Sequence, residues 1–215
     1  MSSPEQSIRP PLQRRSHESF ERVLQAGLEL LQEGGFEAFT LQAVSRRAGV
    51  SVGSIYSRAP SRDALLLAIH DRATERMAEQ ERELEEGILK AGLGPRALVE
   101  SLVTGMATVM LRNESILRVF MQRGPVDPEI LRRGGARSRE LARIFESTML
   151  EHRANITHPD PELAVDVAYR FVYSAIARRI THGSTFESDR DLSDDQLVRE
   201  LARAAADYLL GSAQR

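Results

Sequence analysis

The 215-residue sequence contains no cysteine and no tryptophan, and lysine occurs only once, at Lys90. Without cysteine the chain can form neither disulfides nor thiolate metal sites, and it has no thiol nucleophile. This composition fits a reducing compartment, so we expect a cytoplasmic protein. The apolar runs are short and interrupted by charges, and the N-terminus is polar, which argues against a membrane span and a secretion signal.

Motifs of common enzymes are also lacking. The five histidines show no HExxH or similar ligand spacing, and there is no glycine-rich phosphate loop and no GxSxG sequence. A di-iron bundle would need inward Glu-x-x-His repeats, and none occurs. We therefore expect no catalytic residues, no metal and no cofactor, and we interpret the chain as a protein that is not an enzyme.

Charge is distributed unevenly, although the net charge is only −2. Residues 38–62 contain no acid and four arginines, while Arg9, Arg14 and Arg15 make the N-terminal segment basic. A local basic surface on a mildly acidic protein is typical of DNA-binding proteins. An arginine-rich chain also produces such stretches by chance, so charge alone leaves both interpretations open.

The apolar periodicity is helical almost throughout and predicts an all-α fold. A first helix should start with Ser16 as its cap and end at Gly34-Gly35, and Thr40 and Ser51 should cap two short helices. Ser61 should cap a long helix reaching about residue 88, and about five more helices should follow. We predict a flexible basic arm (1–15), an N-terminal three-helix helix-turn-helix domain (16–62) and a C-terminal helical domain (63–215).

The two short helices carry the functional signal. A helix-turn-helix joins two such helices by a tight turn, and the second helix reads bases in the major groove. Gly49 lies at the predicted turn, and the small residues Ser51, Gly53 and Ser54 allow close approach to DNA. Glycine inside a helix costs about 1 kcal/mol relative to alanine, so Gly53 suggests a steric requirement. An ordinary helical hairpin has the same spacing, which leaves that alternative open.

The segment from about Ser16 to Leu66 resembles the DNA-binding domain of the TetR family of bacterial transcriptional regulators. Matching elements occur in the family order and at its spacing: Gly35-Phe36, Thr40, Ala48-Gly49-Val50-Ser51, Ile55-Tyr56 and Ser61-Arg62-Asp63-Ala64-Leu65. Two positions depart from the family pattern. Val52 stands where the family often has lysine or proline, and Arg58-Ala59 replaces an aromatic pair, so packing there must differ and no operator sequence can be transferred.

The resemblance implies a transcriptional regulator, which we expect to be a repressor that binds a palindromic operator. Base contacts would come from Ser51, Val52, Gly53 and Ser54. Phosphate contacts would come from the following residues: Thr40, Tyr56, Ser57, Arg58, Arg62, Arg14 and Arg15. Only the base contacts would specify sequence, and small side chains predict few bidentate contacts, so water and DNA shape should contribute.

The resemblance also implies a homodimer and a small-molecule ligand. The last two helices would pair with their copies, and their apolar positions exceed the needs of one helix face. These positions are Leu163, Val167, Phe171, Ile176, Leu197, Leu201, Ala205 and Leu209. A largely apolar ligand would lie against Met106, Val109, Met110, Leu117, Phe120, Met121, Phe145 and Tyr169. Arg170 could bind an anionic ligand, although an ion pair is the simpler interpretation. Ligand would shift the population to a form that binds DNA poorly.

Two other classes of function stay open. A helical adaptor of the same fold would bind a protein rather than DNA. The chain could also be an activator, or a repressor without a ligand, and the sequence does not separate these.

Overall fold

The computed structural model describes residues 12–211, with side chains from Arg15 onward. Within this range the chain folds into nine α-helices and two 3₁₀ turns and forms no strand, which confirms the predicted all-α fold. The helices are α1 (Leu12–Ala38), α2 (Leu41–Ala48), α3 (Val52–Tyr56), α4 (Arg62–Lys90), α5 (Pro95–Arg112), α6 (Glu114–Arg123), α7 (Pro128–Glu151), α8 (Pro161–His182) and α9 (Asp194–Leu210). None of these helices is long and apolar enough to span a membrane.

The first of two compact units extends to Ala73, inside α4. Its core is formed by apolar side chains from α1 to α3 and from the first turns of α4. The most deeply buried members are Val23, Leu31, Phe39, Val44, Ile55, Leu65, Leu66 and Ile69. The start of α4 belongs to this unit because three of those side chains, Leu65, Leu66 and Ile69, lie in its core.

The limits of α1 differ from the predicted ones at one end only. The helix begins at Leu12, so the prediction that Ser16 caps it is wrong. The Ser16 hydroxyl instead accepts a hydrogen bond from the Arg58 guanidinium at 2.7 Å. At the other end, Gly34 and Gly35 interrupt the helix as predicted, because Gly35 adopts φ 62° and ψ −159°, a conformation that disfavours any side chain.

The predicted caps of the next three helices are confirmed. The hydroxyls of Thr40, Ser51 and Ser61 each accept a hydrogen bond from the backbone N–H three residues later, at 3.1, 3.2 and 3.0 Å respectively. Gly49 ends α2 with φ 64°, the left-handed conformation that favours glycine. These side chains satisfy N–H groups that a helix start leaves without an intrahelical partner.

The second unit comprises residues 74–211 of the described chain, that is, the rest of α4 and helices α5 to α9. Helices α5 and α8 contribute most of its core, with Val99, Val103, Val172, Ile176 and Ile180 wholly buried. The sequences Asp127-Pro128, Asp160-Pro161 and Ser193-x-x-Gln196 all lie at helix N-termini, and the last forms a complete capping box. The prediction of five helices after α4 is also confirmed.

Candidate functional site

Helices α2 and α3 form a hairpin whose turn is held by local hydrogen bonds. The Ser45 hydroxyl donates to the Val50 carbonyl at 2.7 Å, and the Val50 N–H donates to the Ser45 carbonyl at 3.2 Å. Helix α2 buries Leu41, Val44 and Ala48, whereas the five-residue α3 buries only Ile55. The other residues of α3 are therefore exposed or partly exposed, and Ile55 is the apolar residue that anchors this helix to the core.

The exposed side of α3 carries only small side chains at its N-terminal end. Ser51, Gly53 and Ser54 are exposed, Val52 is partly exposed, and the Ser51 and Ser54 hydroxyls bond to each other at 2.8 Å. A Cβ placed on Gly53 would meet no heavy atom within 4 Å. The protein's own packing therefore does not require glycine here, although glycine weakens a helix relative to alanine.

Side chains with hydrogen-bonding groups surround this surface. Tyr56 is 49% exposed, and Thr40 is exposed at the start of α2 with a hydroxyl hydrogen that remains available to donate. Ser57 is exposed, and its hydroxyl donates to the Ser54 carbonyl at 2.8 Å. Arg58 is exposed but lies 5.2 Å from the centroid of the Phe20 ring while it bonds to Ser16. The hairpin therefore brings together small groups in the centre and polar groups around them.

Arg62 lies at the start of α4, where phosphate contact was predicted, but its side chain is used inside the domain. The guanidinium lies 3.8 Å from the centroid of the Phe36 ring and donates a hydrogen bond to the Phe36 carbonyl. Arg62 is partly buried as a result. The residue therefore links α4 to the end of α1, which the sequence pattern did not indicate.

Of the two arginines predicted to contact DNA from the basic arm, the structure describes the side chain of Arg15 only. Arg15 is exposed in the first turns of α1. The Arg14 side chain lies outside the part of the chain whose side chains are described, so its predicted contact stays a prediction.

Sequence reasoning did not assign a role to either arginine of α2. Arg46 is exposed and makes no hydrogen bond or ion pair with the described residues, which leaves its charge available. Arg47 bonds to Glu33 at 2.7 Å, and this bond raises the pKa of Arg47 above its ordinary value. Only the tertiary packing of α2 on α1 distinguishes the two, because both arginines lie in the same acid-free stretch.

Replacing Arg62 by alanine is expected to destabilise the first unit by about 1–3 kcal/mol, because it removes a cation–π contact and a charged hydrogen bond. Thermal unfolding of the protein without DNA measures this effect. Arg46→Ala is the matched control, since it removes the same group from a site without a protein partner and should leave the unfolding temperature unchanged. Equal unfolding temperatures for the two variants would show that Arg62 has no packing role.

A small pocket of about 40 Å³ lies between α4, α5 and α7 in the second unit. Of the predicted ligand-contact residues, Met106 and Phe145 line it. The others lie elsewhere in the second unit: Val109, Met110, Phe120 and Tyr169 are buried, and Leu117 and Met121 are partly buried. The Tyr169 hydroxyl donates to the Ser138 carbonyl at 2.7 Å, and burial raises the pKa of Tyr169 to about 12. The structure thus brings together only part of the predicted ligand site.

Arg170 lies on the exposed side of α8. It forms an ion pair with Asp166 one turn earlier, with Nε 2.8 Å from Oδ2, and this contact raises the pKa of Arg170. The ion pair, which was the simpler interpretation, is therefore present, and Arg170 does not line the pocket.

The predicted dimer positions fall into two groups. Ile176, Ala205 and Leu209 are 0% exposed, so the core of one chain already buries them. The remaining five, Leu163, Val167, Phe171, Leu197 and Leu201, keep part of their surface, and Leu163 is 51% exposed. Tyr208, which sequence reasoning missed, is 37% exposed and contacts the Phe171 ring at 6.2 Å between centroids. An apolar face thus extends along α8 and α9.

The chain resembles known bacterial regulators in sequence. A family model described as "Bacterial regulatory proteins, tetR family" matches residues 23–69. The chain is 32% identical over 104 residues to the HTH-type transcriptional repressor KstR of Rhodococcus jostii, a match that covers 46% of each protein. It is 29% identical over 136 residues to the HTH-type transcriptional regulator UidR of Escherichia coli, covering 51% of this chain and 69% of that regulator. The match to KstR therefore spans about half of either protein.

Solved structures resemble the chain over nearly its whole length. A putative TetR-family transcriptional regulator from Mesorhizobium loti has a TM-score of 0.69 and 15% sequence identity, and covers 90% of this chain and 96% of its own. A TetR transcription regulator from Haloarcula marismortui has a TM-score of 0.69 at 17% identity, with coverages of 90% and 99%. At these identities the likeness concerns the fold.

Proposed function

We propose that this chain is a DNA-binding transcriptional repressor of the TetR family, because the model of that family matches residues 23–69 and the repressor KstR is 32% identical over 104 residues. It binds a palindromic operator as a homodimer, and a small, largely apolar ligand releases it. The first unit, which includes residues 16–62 and extends to Ala73, binds DNA, and the second unit, from residue 74 onward, holds the sites for ligand and dimerisation. Bases contact Ser51, Val52, Gly53 and Ser54, and phosphates contact Thr40, Tyr56, Ser57 and Arg58, with Arg46 and Arg15 as further cations.

The main support for this proposal is the set of small residues on the exposed side of α3. A Cβ at Gly53 would meet no atom of the protein, and alanine would favour the helix more than glycine does. The glycine therefore points to a partner outside the chain that approaches the backbone closely. DNA is such a partner, because the first residues of a recognition helix lie against the base edges in the major groove. The surrounding hydroxyls and arginines suit phosphates, which fix the position of the protein on DNA.

Two further features support the dimer and the ligand. A single helix-turn-helix buries little surface, so a dimer that reads two half-sites gives tighter and more specific binding. The apolar face with Leu163, Phe171 and Tyr208 on α8 and α9 offers a surface for a second copy. The pocket beside Met106 and Phe145 offers a site whose occupation could shift the population away from the DNA-binding form.

The test is a fluorescence-anisotropy titration against DNA from upstream of the chain's own gene, at low and near-physiological salt, with unrelated DNA as competitor. We expect tight binding that survives competitor, with two chains bound per palindrome by light scattering. Binding that disappears with salt or competitor would reflect charge attraction only. A specific protein partner whose binding is unaffected by changes at Tyr56 and Arg58 would favour the adaptor instead.

Replacing Gly53 by alanine is expected to stabilise the first unit by up to about 1 kcal/mol, because alanine favours a helix over glycine. The same change is expected to weaken operator binding about tenfold, because the added methyl group separates α3 from the base edges. Thermal unfolding and anisotropy titrations measure the two effects.

Gly87→Ala is the matched control, since Gly87 is also an exposed helical glycine with open space around it. This variant should gain similar stability without loss of affinity. A Gly53→Ala protein that binds operator as tightly as the parent would contradict the proposed close approach of α3.

A further inference from the structure

The pocket in the second unit has a wall of mixed character on α4. Glu81, Leu84, Glu85 and Ile88 follow one another at helical spacing and face it together. The other walls are mainly apolar and come from α5 and α7: Leu102, Met106, Leu141, Ile144 and Phe145. Two carboxylates therefore meet a largely hydrocarbon surface, an arrangement that differs from an ordinary apolar core.

The carboxylates around the pocket outnumber the cations that pair with them. Arg137 on α7 forms an ion pair with Glu81 and lies 3.0 Å from a carboxylate oxygen of Glu140, and its side chain is only 16% exposed. Glu85 accepts a hydrogen bond from the neutral Thr148 hydroxyl at 3.1 Å and makes no ion pair with the described residues. One guanidinium thus pairs with two carboxylates, and Glu85 pairs with no cation in the part of the chain that the structure describes.

We propose that this pocket binds an amphipathic cation, with the apolar body against α5 and α7 and the cationic group at Glu85. A carboxylate that loses water on ligand binding is costly unless a cation pairs with it, whereas an anionic ligand would add a like charge. The inference deepens the proposed function by naming the class of ligand for the regulatory site.

The size of the pocket connects binding to the position of α4. A volume of about 40 Å³ holds only a few water molecules, so a ligand must widen the space between α4 and α7. The polar contacts between these helices include the Arg137–Glu81 ion pair and the Thr148–Glu85 hydrogen bond. A cation competes for the same carboxylate oxygens, so its binding weakens the ties that close the pocket and favours an open form.

Isothermal titration calorimetry on the full chain tests this with three probes of equal chain length: octyltrimethylammonium, 1-octanol and octanoate. We expect the cation to bind at least tenfold more tightly than the alcohol, and octanoate to bind more weakly than the alcohol. Glu85→Gln should weaken binding of the cation about tenfold and leave the alcohol unchanged, because glutamine keeps an acceptor for Thr148 and removes only the charge.

Glu86→Gln is the matched control, because Glu86 is the adjacent residue, its side chain is 68% exposed and it pairs with Lys90 at 3.1 Å. It should bind all three probes like the parent chain. Equal affinity for octanoate and the cation, equal losses in both variants, or no binding of any probe would overturn the proposal. The titration contains no DNA, so cation binding without operator binding would contradict only the proposed function, and operator binding without cation binding would contradict only this inference.

Discussion

Replacing Ser54 by glutamate is expected to abolish specific operator binding, with a loss of affinity of at least a hundredfold, while the fold becomes no less stable. Ser54 lies three residues after the cap Ser51, so glutamate at this position completes the pattern of a capping box. A carboxylate near a helix N-terminus also interacts favourably with the helix dipole. The same negative charge would lie in the major groove between two rows of phosphates, where it is repelled.

Thermal unfolding and anisotropy titrations separate these two effects. Ser147→Glu is the matched control, because it adds the same charge at an exposed position on α7. We expect this control to bind the operator within about threefold of the parent chain. If Ser54→Glu binds operator tightly, α3 is not the helix that lies against the bases.

Replacing Ile55 by alanine is also expected to reduce DNA binding. Here the cause is a loss of fold stability rather than repulsion between a new charge and DNA. Ile55 is 0% exposed and is the one buried residue of α3. Removing a buried isoleucine to alanine costs about 2–5 kcal/mol. Because α3 has no second buried side chain to hold it, we expect the hairpin to lose its order and operator affinity to fall together with stability.

Scanning calorimetry and circular dichroism of Ile55→Ala measure this loss, and Ile55→Val, which removes a single methyl group, provides the graded comparison at about 0.5–1.5 kcal/mol. The adjacent residues Ser54 and Ile55 thus give a paired test. One change removes DNA binding without unfolding, and the other removes it through unfolding. An Ile55→Ala protein with the parent's unfolding temperature would contradict the view that this one contact anchors α3.

Local signals account for the parts of the fold that could be predicted. The caps at Thr40, Ser51, Ser61 and Ser193 depend on contacts within three residues, so the sequence alone determines them. The break at Gly34-Gly35 and the turn at Gly49 follow equally from the conformations that glycine allows. The prediction that Ser16 caps α1 was wrong: the helix begins at Leu12, and the Ser16 hydroxyl accepts a hydrogen bond from Arg58, 42 positions later in the sequence.

The roles of individual charged and apolar side chains were decided by tertiary structure. Arg46 and Arg47 are neighbours in sequence, but packing of α2 on α1 pairs only Arg47 with Glu33. Met106, Met110 and Tyr169 were all predicted as ligand contacts, but only Met106 lines the pocket. The sequence could not distinguish the wall of a pocket from the core, because both bury the same residue types. By itself the sequence determined most of the helices, the caps at Thr40, Ser51 and Ser61, and the resemblance to a known family, since these depend on local patterns. Contacts between distant segments decided the rest, because only the folded chain brings those segments together. They leave Arg46 without a partner among the described residues, form the pocket beside Glu85 and leave an apolar face exposed on α8 and α9.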